Sequence, residues 1–258
     1  MPEPLSSPDR LRTDPLSALR AELARARLTR GPVLPFGLSA IDEKLADQGL
    51  SGAGLHEIAP RSAELSDDAA ATLFAAGIAA RFASRPGFNV LWALSRFDLY
   101  APGLAQVGLP PDRLLYAQGR KDGDVLALAE DGLRDGSLAC VIAEVKVADQ
   151  TATRRLQLAA ADGSTPMLLY RRHRSRDHCP LAQPSSAMTR WLVGCTSSTP
   201  LPHAGIGRAR WQVELVRQRN GNPFTLELEA CDDQGRLALP TALAHRAAAE
   251  DRAAINAA

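Results

Sequence analysis

From residue 54 to residue 170, short wholly apolar runs alternate with segments patterned as helices, and this alternation narrows the fold more than anything else in the chain. The runs are 54–59 (GLHEIA), 88–94 (FNVLWAL), 114–117 (LLYA), 139–145 (ACVIAEV) and 166–170 (PMLLY). Helical patterns fill 66–84, 98–107, 122–135 and 149–161. Strands apolar on both faces, each followed by a helix, predict βαβ units and a mostly parallel sheet covered by helices on both sides. After residue 188 the helices stop. Segments 189–197, 209–218 and 224–231 follow one another directly, and the spacing of Trp211, Val213 and Leu215 suits antiparallel strands. The expected class is α/β, with a mostly parallel sheet that ends in antiparallel strands.

Two appendages flank this core. Leu16, Leu19, Leu23 and Ala26 lie on one stripe of a helix that starts behind Asp14-Pro15, with Arg20, Arg25 and Arg27 opposite. Gly31, Pro32 and Pro35 break the pattern, so 1–35 reads as an N-terminal helix and linker and 36–240 as the core. The tail, 241–258, is mostly Ala with Leu243 and Ile255 as its large apolar residues. It favours helix by propensity but carries little apolar surface to dock alone, which predicts ordering on a partner.

Charge and cysteine usage exclude several classes. A net charge of +1 removes bulk electrostatic binding of nucleic acid by the whole molecule. No apolar run reaches the roughly 18–20 residues of a bilayer span, so no membrane partner is expected. The start of the chain lacks the charged and apolar blocks of a signal peptide. Cys140, Cys179, Cys195 and Cys231 form no CxxC pair, which argues against a zinc site or a disulfide framework and for a reduced, cytoplasmic protein. His173, His178 and Cys179 lack a fourth ligand at metal-binding spacing.

In a sheet of this type the first strand-to-helix turn is the usual phosphate site. Here it reads Ala59-Pro60-Arg61-Ser62-Ala63-Glu64-Leu65-Ser66-Asp67-Asp68, with neither the glycines nor the Lys that a phosphate loop needs. Ser66 is the expected N-cap, and Asp67 and Asp68 would occupy the positive end of the helix dipole. Each like-charge contact with a phosphate would cost about 4 kcal/mol at about 4 Å and an effective dielectric near 20. No nucleotide, metal or other cofactor is expected.

Around that turn the residues carry a resemblance. Phe36-Gly37-Leu38-Ser39-Ala40-Ile41-Asp42, then Gly49-Leu50-Ser51-Gly52-Ala53-Gly54-Leu55-His56-Glu57-Ile58, is similar to the stretch that enters the ATPase core of the bacterial recombinase RecA. Val107-Gly108-Leu109, Asp112-Arg113-Leu114-Leu115 and Gln118 continue the match, and Val216-Arg217-Gln218-Arg219 with Pro223-Phe224 closes it. On that resemblance the catalytic glutamate falls on Arg96, which cannot serve as a general base. The acid at the end of the fourth strand falls on Glu144, leaving magnesium ligation open in principle. The first DNA-binding loop of the recombinase has no counterpart, and the second is rewritten as Arg171-Arg172-His173-Arg174-Ser175-Arg176. This pattern of losses, at this length, resembles the ImuA family.

That resemblance implies a non-catalytic adaptor in DNA-damage-induced (SOS) error-prone translesion synthesis. Its implied partners are ImuB, an inactive Y-family polymerase relative, and an error-prone DnaE-type polymerase, with RecA and single-stranded DNA as further candidates. The alternative is a DNA-damage-induced cell-division inhibitor of the SulA type. Candidate contact residues are Arg171, Arg172, Arg174, Arg176, Arg217 and Arg219. For the first four, a phosphate or acidic-partner contact at the end of a parallel strand stands against a solvated loop, and no aromatic residue in 171–187 offers base stacking. Arg217 and Arg219 match recombinase lysines that reach ATP across a subunit boundary, but alternating Arg on an exposed strand face is equally ordinary. Trp92, Trp191 and Trp211 are expected in the core.

Overall fold

A computed structural model describes residues 32–84, 87–198, 201 and 204–240. The stripe at 16–26 and the tail at 241–258 lie outside the described residues. Among the described residues ten strands form two sheets. β1 (Val33–Leu34) and β2 (Leu50–Ser51) make a small antiparallel pair, so two residues read as linker are bonded to the core. Gly49 and Gly52 permit this close approach: a Cβ on either would stand 2.5 Å from a carbonyl oxygen of Leu34 or Pro32. The glycine-rich stretch before the first core strand thus serves chain packing.

The main sheet contains β3 (Leu55–Pro60), β4 (Val90–Leu94), β5 (Leu114–Gln118), β6 (Cys140–Val145), β7 (Met167–Arg171), β8 (Thr189–Thr196), β9 (Arg210–Gln218) and β10 (Phe224–Glu229). Its order is β10-β9-β8-β3-β7-β6-β4-β5. The six strands from β8 to β5 are parallel, and β9 and β10 add antiparallel to β8. The expected meander is therefore joined to the parallel sheet through β8, whose register sets Ile58 beside Trp191. The helices are α1 (Ser39–Asp42), α2 (Leu65–Phe82), α3 (Ala101–Gln106), α4 (Asp122–Asp135) and α5 (Gln150–Asp162), and a short 3₁₀ turn spans Pro111–Arg113.

Alternation along each strand divides the core into two layers. Ile58, Trp92, Ile142, Leu168, Trp191 and Val193 face α2 and α3, with Phe36, Phe74, Trp191, Trp211 and Phe224 in mutual ring contact. Ala93, Val141, Ala143, Val145, Met167 and Leu169 face α4 and α5 through Val125, Ala129, Leu133, Leu156 and Ala160. The alanines of α2 let its backbone lie close over the central strands, and Phe74 fills the space they leave. All three tryptophans are buried, as expected.

β3 runs between β7 and β8 and is buried along its length, yet carries His56 and Glu57. His56 has two partners: its Nε2 donates to Ser51 O at 2.9 Å, and its Nδ1 lies 2.8 Å from Thr189 Oγ1, which accepts from Trp191 Nε1. Burial depresses its pKa to about 4, against a smaller upward pull from the Ser51 carbonyl. The unfolded chain therefore binds a proton that the folded chain excludes between pH 6.5 and about 4. Stability present above pH 6.5 should fall by about 3 kcal/mol across that window. Denaturation measured against pH should show this slope, and His56→Phe should flatten it. A resonance assigned to the His56 imidazole that titrates near 6.5 in the folded protein would contradict the account.

Candidate functional site

At the carboxyl ends of β3, β4, β6 and β7 the turn after β3, the start of α2 and the segment after β7 surround a basic cleft. α2 begins at Leu65 with Glu64 in the N-cap position, and no side chain caps it. Ser66 is thus not the cap that the sequence pattern predicts. The reason is Asp67, which folds back into the turn. Its Oδ2 accepts from Ser62 N (3.0 Å) and Ser62 Oγ (2.6 Å), and its Oδ1 accepts from Cys195 N (2.8 Å). The side chain is nearly buried. Arg61 N donates to Val193 O and the Arg61 guanidinium pairs with Glu214 at 2.6 Å. The Ser62 amide and hydroxyl and the Arg61 amide and guanidinium are thus engaged by the protein itself.

Arg172 occupies the centre of the cleft. It lies 2.7 Å from Glu144, 3.0 Å from Asp98 and 3.2 Å from Asp68. Desolvation works against the guanidinium charge, but these three carboxylates outweigh it and hold Arg172 above its ordinary range. Glu144 is 4% exposed and takes a second bond from Trp92 Nε1 at 2.6 Å. Burial pushes its carboxyl upward, and Arg172 and Trp92 pull it back only in part. The acid that the resemblance makes a magnesium candidate is thus bonded to an arginine and an indole. Among the described residues no group of three His, Cys, Asp or Glu side chains is placed to hold a metal ion.

Around Arg172 the cleft holds Arg96, Lys146, His173, Arg174 and Arg176 in a concavity of about 310 Å³ beside Ser62 and Asp68. His173 Nε2 reaches the Pro60 carbonyl at 3.0 Å and ties the segment after β7 to the turn after β3. Arg174 and Arg176 are exposed. Arg171 differs. It is 1% exposed, and its Nη1 bonds Glu57 Oε1 at 2.7 Å, while Arg190 Nε bonds Glu57 Oε2 at 2.5 Å. Strand alternation turns it away from Arg172, so it belongs to a buried charge cluster and not to the exposed row that the sequence places it in. Arg217 and Arg219 lie at the opposite end of the sheet. Arg217 pairs in register with Arg190 at the start of β8 and donates to Ser185 O, and Arg219 N bonds Met188 O. The six arginines thus occupy three environments.

Sequence reasoning missed Lys146, Arg190 and Glu57. A charged residue inside an otherwise apolar strand, as at Glu57, is the one local sign of a buried pair; its partners come from β7 and β8 and carry no spacing signal. Among the described residues no helix is long and apolar enough to cross a membrane.

No family profile matches the chain. A crystal structure of SulA from Pseudomonas aeruginosa overlaps 45% of this chain and 96% of that one at 23% identity and a TM-score of 0.38, too loose a likeness to argue for a division inhibitor. Two curated proteins are far more similar. Protein ImuA from Caulobacter vibrioides, in strains NA1000/CB15N and ATCC 19089/CIP 103742/CB 15, is 36% identical over 234 residues, covering 89% of this chain and 96% of its own. At that identity and coverage, the chain belongs to the ImuA family.

Proposed function

We propose that this protein is a non-catalytic accessory factor of DNA-damage-induced (SOS) error-prone translesion synthesis. It recruits or regulates an ImuB-like inactive Y-family polymerase relative and, through it, an error-prone DnaE-type polymerase. The observation that carries this reading is the self-occupied first turn. Asp67 takes the amide and hydroxyl hydrogens where a phosphate loop would close on its ligand, and Arg172 engages the carboxylates beside it. Membership of the ImuA family supports the biological setting. Titration with ATP and magnesium should show no saturable heat; a micromolar dissociation constant abolished by changing Ser62 and Asp67 would overturn it.

The tail at 241–258 is the proposed partner-binding element, because its helix propensity is high and its apolar surface small. Exposed Arg174 and Arg176 form a second contact surface, for an acidic partner or single-stranded DNA, with RecA a further candidate. Deleting 241–258 should leave the melting temperature nearly unchanged while abolishing co-purification with the polymerase relative. Retained binding would move the contact to the core, and unfolding would make the tail part of it.

A further inference from the structure

We propose that the cavity under the segment joining β7 to β8 is a site for a phosphate monoester. This cavity, about 360 Å³, adjoins the cleft, sharing Lys146, Arg172 and Arg174 with it, and is lined further by Arg171, His178 and Gln183, with no Asp or Glu in its wall. Its volume falls within the range of small-molecule sites. Three observations identify the ligand class. First, Glu57 is the single carboxylate bonded to both Arg171 and Arg190, and all three are buried, so the cluster keeps one positive charge beyond what Glu57 neutralises. Buried charge of that kind calls for a counter-ion. Second, Arg171 lines the cavity, and its guanidinium is bonded through Nη1 alone, the solvent-closed Nε having no acceptor among the described residues, an exception to the rule that buried donors are paired. Third, Lys146 and Arg174 are exposed at the same cavity, and no carboxylate among the described residues pairs with either.

Lys146, Arg174 and the one excess charge of the cluster bring three positive charges to the cavity, enough to neutralise a dianion. A phosphate monoester carries close to two negative charges at neutral pH and accepts several hydrogen bonds, whereas a peptide carboxylate brings one charge. The chemistry fits a free mononucleotide or the 5′-phosphate end of a DNA strand. With no Phe, Tyr or Trp in the wall, recognition centres on the phosphate. This inference shares Arg174 with the contact surface proposed above but does not rest on the adaptor reading.

The test compares a short oligonucleotide carrying a 5′-phosphate with the same strand ending in a hydroxyl, by fluorescence anisotropy on the full chain at fixed salt. The phosphorylated strand should bind about tenfold more tightly. Inorganic phosphate should compete, and Lys146→Ala with Arg174→Ala should erase the difference while leaving the circular dichroism spectrum unchanged. If AMP and inorganic phosphate bind in a way these substitutions abolish, but the two strands bind alike, the proposal holds with a free phosphate monoester as ligand. If no phosphate probe shows binding sensitive to Lys146 and Arg174, the proposal fails. It fails equally if the substitutions weaken only polypeptide partners, since the cavity wall would then be a protein-binding surface.

Discussion

Replacing Glu57 with Leu should destabilise the protein by about 3–5 kcal/mol, the usual cost of breaking a buried ion pair from one side. The carboxylate is wholly buried, Arg171 is 1% exposed and the Arg190 side chain 8%. Without it two guanidinium groups remain in a low-dielectric interior beneath the chain that joins β7 to β8, with only the Gln183 carbonyl left to accept, from Arg190. For a chain of this size the loss corresponds to a fall in melting temperature of about 6–20 °C. Replacing all three together, Glu57→Met with Arg171→Leu and Arg190→Met, should recover much of the loss, because no unpaired charge is then buried. Chemical denaturation of the single and triple variants checks both halves. A Glu57→Leu protein within about 1 kcal/mol of the parent would mean that water or a bound anion already compensates the arginines.

Why this cluster escaped the sequence is instructive. The alternation of strands and helices was readable because burial of a parallel sheet on both faces demands apolar residues throughout. Cys140–Val145 and Met167–Arg171 follow their predicted runs within a residue at each end for that reason. Consecutive residues of a strand point to opposite faces, however, and that rule divides the arginine-rich segment after Tyr170. Arg171 turns to the layer of α4 and α5 and is buried on Glu57; Arg172 turns to the layer of α2 and meets Glu144. A count of positive charge along the chain treats the two alike. Only the order of strands, which brings β3 between β7 and β8, shows that one is held by Glu57 and the other central to the cleft. That the first turn has neither glycine nor Lys was readable in the sequence. The role of Asp67 was not, since Cys195, one of its partners, lies 128 positions away.

Arg172→Met should give the second large effect, and its pH dependence separates charge from packing. At neutral pH the variant should lose about 3 kcal/mol, chiefly through Glu144. The Asp98 side chain is 38% exposed and that of Asp68 30%, so solvent screens those arms and each adds well under about 1 kcal/mol. Burial already raises the Glu144 carboxyl, with Arg172 pulling against it. Removing the guanidinium raises it further. A carboxyl whose folded-state pKa lies above its unfolded value takes up protons on folding. Its penalty is therefore full above the folded pKa, shrinks as pH falls through that value, and is gone below the unfolded one. The stability gap between parent and Arg172→Met should narrow as pH is lowered from neutrality through the raised Glu144 value. The His56 slope is common to both proteins and cancels in the difference. Arg172→Met combined with Glu144→Gln should show a smaller loss with little pH dependence, because the buried charge is absent at every pH. A gap that stays constant with pH in the single variant would assign the loss to packing of the arginine stem against Tyr170, over whose ring the guanidinium lies at 5.6 Å.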